Sequence, residues 1–207
     1  MIPISDCRSY FEQLSRTIAA LPVDEVEDVT NVLVRAYERR RTVYVFGNGG
    51  SAALASHFAC DLAKGTLNGS SQRFRVLALT DNIPLMTAWA NDSSYEDVFA
   101  EQLANFAGPG DVAFAISASG NSPNVIKALK VAKEAGCVTV GLTGFSGGRM
   151  RALCDACIIV PCDNMQIIED LQLCVAHSLF TCVRSKISGH PPIVAIGPRL
   201  LPRTARR

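Results

Sequence analysis

The chain has 207 residues, of which 48% are hydrophobic and 19% are charged, and its formal net charge is +1. A chain of this length can bury a full hydrophobic core without disulfide bonds, so we expect one domain. No apolar run approaches the roughly 20 residues of a membrane span, and the N-terminal residues are polar and acidic, unlike those of a signal peptide. We therefore expect a cytoplasmic protein that does not contact a membrane.

Basic residues are concentrated at the C-terminal end of the sequence. From Arg184 onward the chain has six basic residues and no acidic one, a composition that can contact nucleic acid. Four prolines in the same stretch favour a loose extension instead, so we predict no nucleic-acid partner. The predicted organisation is a single domain over residues 1–187, followed by a basic, loosely held tail over residues 188–207.

Apolar periodicity predicts helices and strands that alternate along most of the chain. Two helices come first, and Pro22 separates them. The predicted strands are residues 42–46, 74–79, 111–116, 137–142 and 157–160. The helices predicted after the first strand are residues 51–64, 82–90, 94–105, 122–135, 147–153 and 164–187. Strands that alternate with helices form parallel sheets through right-handed crossovers. The predicted fold class is therefore α/β, a three-layer α/β/α sandwich with a five-stranded parallel sheet, preceded by two N-terminal helices.

Two glycine- and serine-rich loops follow predicted strands and open predicted helices. They are residues 47–51 and 117–122. Glycine lets the backbone turn sharply near a ligand, and a helix N-terminus favours an anion. The hydroxyls of Thr80 and Thr143 follow two other strands, and ligands of parallel sheets bind at the carboxyl ends of the strands. The pattern predicts a phosphate-binding site. Because the loops lack the dinucleotide-binding spacing and a P-loop lysine, it argues against nucleotide hydrolysis and nicotinamide chemistry.

Eight cysteines raise the question of a metal site. Cys154 and Cys157, with Cys162 beyond them, have the spacing of half a metal knuckle. No second Cys-X-X-Cys pair or closely spaced histidine completes it. Cys174 and Cys182 lie in an apolar helical pattern. We therefore predict that the cysteines are buried free thiols.

One combination of motifs carries a family resemblance. The motifs are Phe46-Gly47-Asn48-Gly49-Gly50-Ser51, then His57-Phe58-Ala59, then Ser117-Ala118-Ser119-Gly120-Asn121-Ser122. Together they resemble the sugar isomerase (SIS) superfamily, and most of all its phosphoheptose isomerase branch, over about residues 5–187. The resemblance implies a flavodoxin-like sandwich and a homotetramer. It also implies interconversion of sedoheptulose 7-phosphate and D-glycero-D-manno-heptose 7-phosphate.

The resemblance also implies roles for particular residues. Four serines would hold the phosphate, and two asparagines would shape the loops. The residues implied at the substrate or its phosphate are Asn48, Gly49, Gly50, Ser51, Asp92, Ser117, Ala118, Ser119, Asn121, Ser122 and Glu169. Two pairs, one four residues apart and one eight apart, match family positions that surround a zinc site in some members. The implied zinc ligands are His57, Asp61, Glu169 and His177, and the implied acid–base pair is Asp61 and His177.

Two of these positions depart from the family pattern. Asp61 stands where the family has glutamate, and Glu169 stands where it has glutamine. Aspartate is one methylene shorter than glutamate, and a glutamate in place of glutamine adds negative charge. These changes bear on the choice of substrate more than on the class of reaction.

The residue types themselves suit such a reaction. Aldose–ketose isomerisation moves a proton between C1 and C2 through an enediol(ate), which needs a base together with an acid or a metal. His57 and Asp61 share a helical face, and Glu169 and His177 lie about 80° apart around an ideal helix, so both can border one cleft. Taken singly, each histidine is also explained as structural and each carboxylate as solvated, and occupancy by zinc stays open.

Several alternatives remain at this point. Asp92 is also explained as part of a cap before the next helix, and Gln172 is predicted to be a helix-surface amide. The leading functional hypothesis is a phosphoheptose isomerase. One rival is a non-catalytic SIS adaptor of the bacterial replication initiator, which would need neither histidine. The other is isomerisation of a different sugar phosphate.

Overall fold

The computed structural model describes residues 5–67 and 72–188. At its centre lies a parallel sheet with the strand order β2-β1-β3-β4-β5. Its strands are β1 (Val43–Gly47), β2 (Val76–Ala78), β3 (Val112–Ser117), β4 (Val138–Thr143) and β5 (Ala156–Ile159). Every residue of β1 and β3 is buried, as in parallel strands covered on both faces. The predicted α/β class with a five-stranded parallel sheet is confirmed.

Helices cover both faces of this sheet, and one further helix lies outside these layers. They are α1 (Cys7–Ala19), α2 (Val23–Glu38), α3 (Gly50–Cys60), α4 (Ile83–Asp92), α5 (Ala100–Phe106), α6 (Pro123–Glu134), α7 (Met150–Leu153) and α8 (Met165–Ser188). Alternate residues of a strand point to opposite faces. Accordingly, Val45 packs in an apolar cluster with residues of α2, α3 and α8, whereas Phe46 packs in a second cluster with residues of α5 and α6. The result is the predicted three-layer sandwich. Helix α1 lies outside it against α8, where the Tyr10 hydroxyl donates a hydrogen bond to Asp170.

Several predicted elements are shorter or divided in the structure. The helix predicted over 94–105 is a 3₁₀ turn, Tyr95–Asp97, followed by α5, because Ser94 caps the turn and starts it separately from α5. The helix predicted over 51–64 is α3 followed by a π-helical turn, Asp61–Gly65. The apolar spacing runs through both interruptions, so periodicity alone does not reveal them.

The strand order identifies one crevice in the sheet. Strands β1 and β3 are neighbours in the sheet. After β1 the chain continues to β2 at one edge of the sheet, and after β3 it continues to β4 on the side of the other edge. In doubly wound sheets, ligands bind at such a switch point, beyond the carboxyl ends of the strands. Both glycine- and serine-rich loops begin there.

The predicted basic tail, residues 188–207, lies outside the described residues from residue 189 onward. None of the helices within residues 5–67 and 72–188 is both long and apolar enough to cross a membrane.

Candidate active site

The two loops after β1 and β3 line a single cleft of about 150 Å³. Its lining consists of residues from both loops and from the start of α8, namely Asn48, Ser51, Ile116, Ser117, Ala118, Ser119, Ser122, Met165 and Glu169. The four serines predicted to hold a phosphate therefore meet in one place. Thr80 and Thr143 do not belong to this lining. Thr143 donates instead to the Ala118 carbonyl oxygen.

Two helices begin at this cleft without a side-chain cap. Gly49, at the N-terminal end of α3, has no side chain to offer, and Ser122 makes no capping hydrogen bond at the start of α6. The hydroxyls of Ser117 and Ser122 lie 3.3 Å apart. Uncapped helix starts leave amide donors and a positive dipole end for an anion. The cleft thus has the donors that a phosphate group needs.

The two loops are joined by a pair of asparagines. Asn48 Nδ2 donates to Asn124 Oδ1 at 2.9 Å, and Asn124 Nδ2 donates back to Asn48 Oδ1 at 2.8 Å. The Asn124 side chain is buried, and its oxygen also accepts from the Val125 amide. The Tyr95 hydroxyl donates to Asn48 from the far side. The resemblance implied that Asn48 shapes the loop, whereas sequence reasoning missed Asn124, to which the Asn48 side chain is hydrogen-bonded.

The 3₁₀ turn that carries Tyr95 is attached to α6, the helix that also carries Asn124. Asp97, at the end of this turn, is buried and accepts hydrogen bonds from Lys127 of α6 and from Ser93. The hydrogen bond from Lys127, with that from Ser93, lowers the pKa of the Asp97 carboxyl below its usual value. This ion pair positions the turn beside the cleft.

A second group of predicted residues forms a compact cluster on α3, the π-helical turn and α8. The Nε2 atoms of His57 and His177 are 3.4 Å apart. Asp61 Oδ2 lies 3.5 Å from His57 Nε2 and 3.9 Å from His177 Nε2. The ligand atoms of all three residues are within 4.8 Å of one another. Two imidazoles and a carboxylate are the ligand types of catalytic zinc sites that keep one position open.

A glycine allows the two helices that carry this cluster to approach. A Cβ atom on Gly65 would lie 2.5 Å from the Cζ atom of Phe180 on α8, so a side chain at this position would require the Phe180 ring to move. Phe58 of α3 and Leu179 of α8 pack in the same apolar cluster. The π-helical turn begins at Asp61 itself, and such turns recur at functional sites. This packing brings the rings of His57 and His177 into edge contact, although 120 residues separate them in the chain.

Glu169 lies in the cleft and outside the three-residue cluster. A Cβ atom on Gly50 would lie 2.8 Å from Glu169 Oε1, so the carboxylate sits against the N-terminal end of α3. A carboxylate is favoured at a helix N-terminus, which is also where a phosphate would bind. Glu169 therefore belongs to the predicted phosphate site in the structure and not to the compact cluster of the other three predicted metal ligands.

Asp92 and Gln172 both lie outside the lining of the cleft. Asp92 ends α4, where its carboxylate accepts from Asn91, and it is not part of the cleft lining. Ser94, rather than Asp92, caps the turn that follows. Gln172, predicted at the helix surface, is buried, and its amide donates to the Leu142 carbonyl oxygen. That prediction was wrong because the face of α8 that carries Gln172 packs on the sheet.

The prediction of buried free thiols holds in one respect only. All eight cysteines are free, but Cys137 alone is buried. Cys174, which was predicted to be buried, is exposed. The apolar pattern around it belongs to its neighbours on the opposite face of α8.

The fold and the two loops are those of a SIS domain, and the SIS domain family matches residues 8–144 of this chain. A phosphoheptose isomerase from Aliarcobacter butzleri is 35% identical over 185 residues, which cover 89% of this chain and 97% of the relative. The structure of a phosphoheptose isomerase from Francisella tularensis aligns with a TM-score of 0.81 and 28% identity, covering 89% of this chain and 100% of that one. A phosphoheptose isomerase from Neisseria gonorrhoeae aligns with a TM-score of 0.80 and 29% identity over 86% of this chain and 96% of that one. This chain belongs to the SIS superfamily and, within it, to the phosphoheptose isomerase branch.

Proposed function

We propose that this protein is an aldose–ketose isomerase that converts sedoheptulose 7-phosphate into D-glycero-D-manno-heptose 7-phosphate. The cluster of His57, Asp61 and His177 carries the proposal. It combines a base and two imidazoles within 4.8 Å of one another. His57 and Asp61 lie on α3 and on the turn that continues it, and the N-terminal end of α3 lines the cleft. A non-catalytic adaptor would need no such cluster. The relatives named phosphoheptose isomerase support the same reaction.

In this proposal the cleft anchors the substrate by its phosphate. Ser51, Ser117, Ser119 and Ser122 donate hydrogen bonds to the phosphate oxygens, together with the amides at the start of α3. His57 lies six residues after Ser51 on α3, which places it about 9 Å further along the helix axis. An extended seven-carbon sugar spans a comparable length between its phosphate ester and C2. The reacting carbons therefore reach the histidine cluster while the phosphate stays in the cleft.

Asp61 and His177 then act as the acid–base pair. Asp61 removes the proton from C1 of the ketose, and His177 transfers a proton between the oxygens of C1 and C2. The enediol(ate) collapses to the aldehyde when C2 is protonated, so the reaction has no net proton gain or loss. General acid–base catalysis contributes about 10²–10⁴-fold to such steps.

We further propose that zinc is the cofactor. His57, Asp61 and His177 would hold it, since two imidazole nitrogens and one carboxylate oxygen match the ligand preference of this ion. Each residue would supply one atom, which leaves the second carboxylate oxygen of Asp61 and the second ring nitrogen of His177 for the proton transfers. When bound, zinc supplies positive charge that polarises the substrate oxygens. Glu169 is the remaining candidate ligand, and in the structure it lies against Gly50. Metal analysis of the purified protein and of His57→Ala tests this part, because the variant should lose the bound zinc.

The decisive experiment is NMR spectroscopy of the protein with sedoheptulose 7-phosphate in D₂O. We expect an aldose product that carries deuterium at C2, because the enediol(ate) exchanges its proton with solvent through the base. An amino-sugar phosphate serves as the competing substrate. A protein that binds sedoheptulose 7-phosphate without forming product, or that converts only the amino sugar, would contradict the proposal.

We also propose that the single domain, residues 1–187, assembles into a homotetramer. Helix α1 supports this because Phe11 is 65% exposed and Ile18 is 47% exposed, and large apolar side chains at a surface favour association. Light scattering measures the mass directly. A monomer at micromolar concentration would contradict the proposal.

A further inference from the structure

Two cysteine side chains meet over a glycine of the sheet. Cys154 follows α7, and Cys157 lies in β5, where it pairs in register with Gly141 of β4. A Cβ atom on Gly141 would lie 2.9 Å from the sulfur of Cys154 and 3.0 Å from that of Cys157. Gly141 is not among the glycines with positive φ. Its missing side chain, rather than backbone freedom, is therefore what makes room for the two thiols.

The two thiols differ in their electrostatic surroundings. Hydrogen bonding between the two thiols, together with burial, raises the pKa of the Cys154 thiol far above its usual value. The same interaction lowers the pKa of Cys157, and the positive charge of Arg151 acts in the same direction. A thiolate stabilised by a neighbouring thiol and by a cation is the arrangement of a reactive cysteine.

The pair is also accessible. Both residues are partly exposed, and Cys157 lines a surface groove of about 370 Å³ together with Asp155 and Val32. Strand β5 is an edge strand of the sheet, so small molecules can approach from that side. Cys137 is the contrasting case, because it is buried and burial raises its pKa to about 11.

We propose that Cys154 and Cys157 form a redox-active dithiol that exchanges with low-molecular-weight disulfides such as glutathione disulfide. The Cys157 thiolate attacks one sulfur of the external disulfide and releases one thiolate. Cys154 then loses its proton and attacks the mixed disulfide at Cys157, which forms the Cys154–Cys157 bond and releases the second thiolate. The protein dithiol is oxidised by two electrons, and the external disulfide is reduced to two thiols.

Peptide mapping of the full chain tests this exchange. The protein is equilibrated with glutathione and glutathione disulfide at several ratios, quenched with acid, alkylated and cleaved before aspartate. Asp155 lies between the two cysteines, so cleavage separates them into peptides 111–154 and 155–162. We expect these two peptides to become joined as the disulfide fraction rises, and to separate again on reduction.

Variants identify the thiols involved. Cys154→Ser and Cys157→Ser should abolish the joined peptides, whereas Cys162→Ser and the distant Cys60→Ser should leave them unchanged. Arg151→Gln keeps both thiols and should slow the exchange several-fold, which provides a test even if a serine variant fails to fold. The proposal is overturned if both peptides remain fully alkylated at every ratio, or if the joined peptides persist in Cys157→Ser.

Discussion

Replacing Asn124 with alanine removes the side chain that joins the two loops of the cleft. Three hydrogen bonds are lost, two with Asn48 at 2.9 and 2.8 Å and one with the Val125 amide at 2.9 Å. A net contribution of about 0.5–1.5 kcal/mol for each bond gives a loss of about 1.5–4.5 kcal/mol in the free energy of unfolding. Because Asn124 is only 2% exposed, water cannot fully replace these partners.

Thermal unfolding and substrate kinetics measure the two consequences. For a chain of this size, about 2–4 °C is expected per kcal/mol, so the midpoint should fall by about 3–18 °C at equal protein concentration. The KM for sedoheptulose 7-phosphate should rise more than kcat falls, because the loops position the phosphate. Asn91→Ala is the matched control, since the Asn91 side chain is exposed and donates to the carboxylate of its neighbour Asp92. If both variants unfold at the same temperature as the parent protein, the asparagine pair does not hold the loops together.

Three further predictions concern charged groups. Asp61→Asn should lower kcat by about 10²–10⁴-fold while binding of a non-reacting sugar phosphate persists in calorimetry; a folded variant with parental turnover would make Glu169 the next base to test. Glu169→Gln should lower the KM for the sugar phosphate, most strongly at low salt, because it removes a negative charge beside the phosphate; an unchanged KM would contradict this repulsion, and a raised KM would argue that Glu169 contributes to binding. Lys127 lowers the pKa of Asp97, so this carboxyl stabilises the fold above its unfolded pKa near 3.8, and the stabilisation is lost as the pH falls through the lower pKa of the folded state. Urea unfolding between pH 6 and about pH 2.5 should therefore show a weaker acid dependence for Asp97→Asn than for the parent protein or for the surface variant Asp24→Asn, and equal slopes would contradict this account.

The sequence predicts those features that depend on local patterns. Each predicted strand between residues 42 and 160 exists, because buried parallel strands are short apolar runs between helices. The serine loops were located because glycine, serine and a strand end stand next to one another in the chain. The family resemblance, rather than periodicity, predicted that His57 and His177 belong to one site.

The sequence does not reveal partners that meet only in the folded chain. Asn124 follows Ser122 and Pro123 like any polar residue in the first turn of a helix, and its partner Asn48 lies 76 residues earlier. Gln172 was assigned to the helix surface because an amide is usually solvated. It is buried because that face of α8 packs on the sheet, and its amide donates to the Leu142 carbonyl oxygen near the carboxyl end of β4. A buried amide is stable only when such a partner exists, and that partner is invisible in the local sequence.

The position of the histidine cluster follows from helix packing rather than from the loops. Helix α8 has to pass close to the end of α3 for His177 to reach His57, and Gly65 permits that approach because any side chain there would meet the ring of Phe180. The π-helical turn places Asp61 at the point where α3 ends. An aspartate in place of glutamate is shorter by one methylene, yet its carboxylate lies within 4 Å of both imidazoles. Because α3 and α8 lie close together, the shorter aspartate side chain still reaches both imidazoles. Aspartate in place of glutamate at position 61 is therefore compatible with the proposed acid–base role.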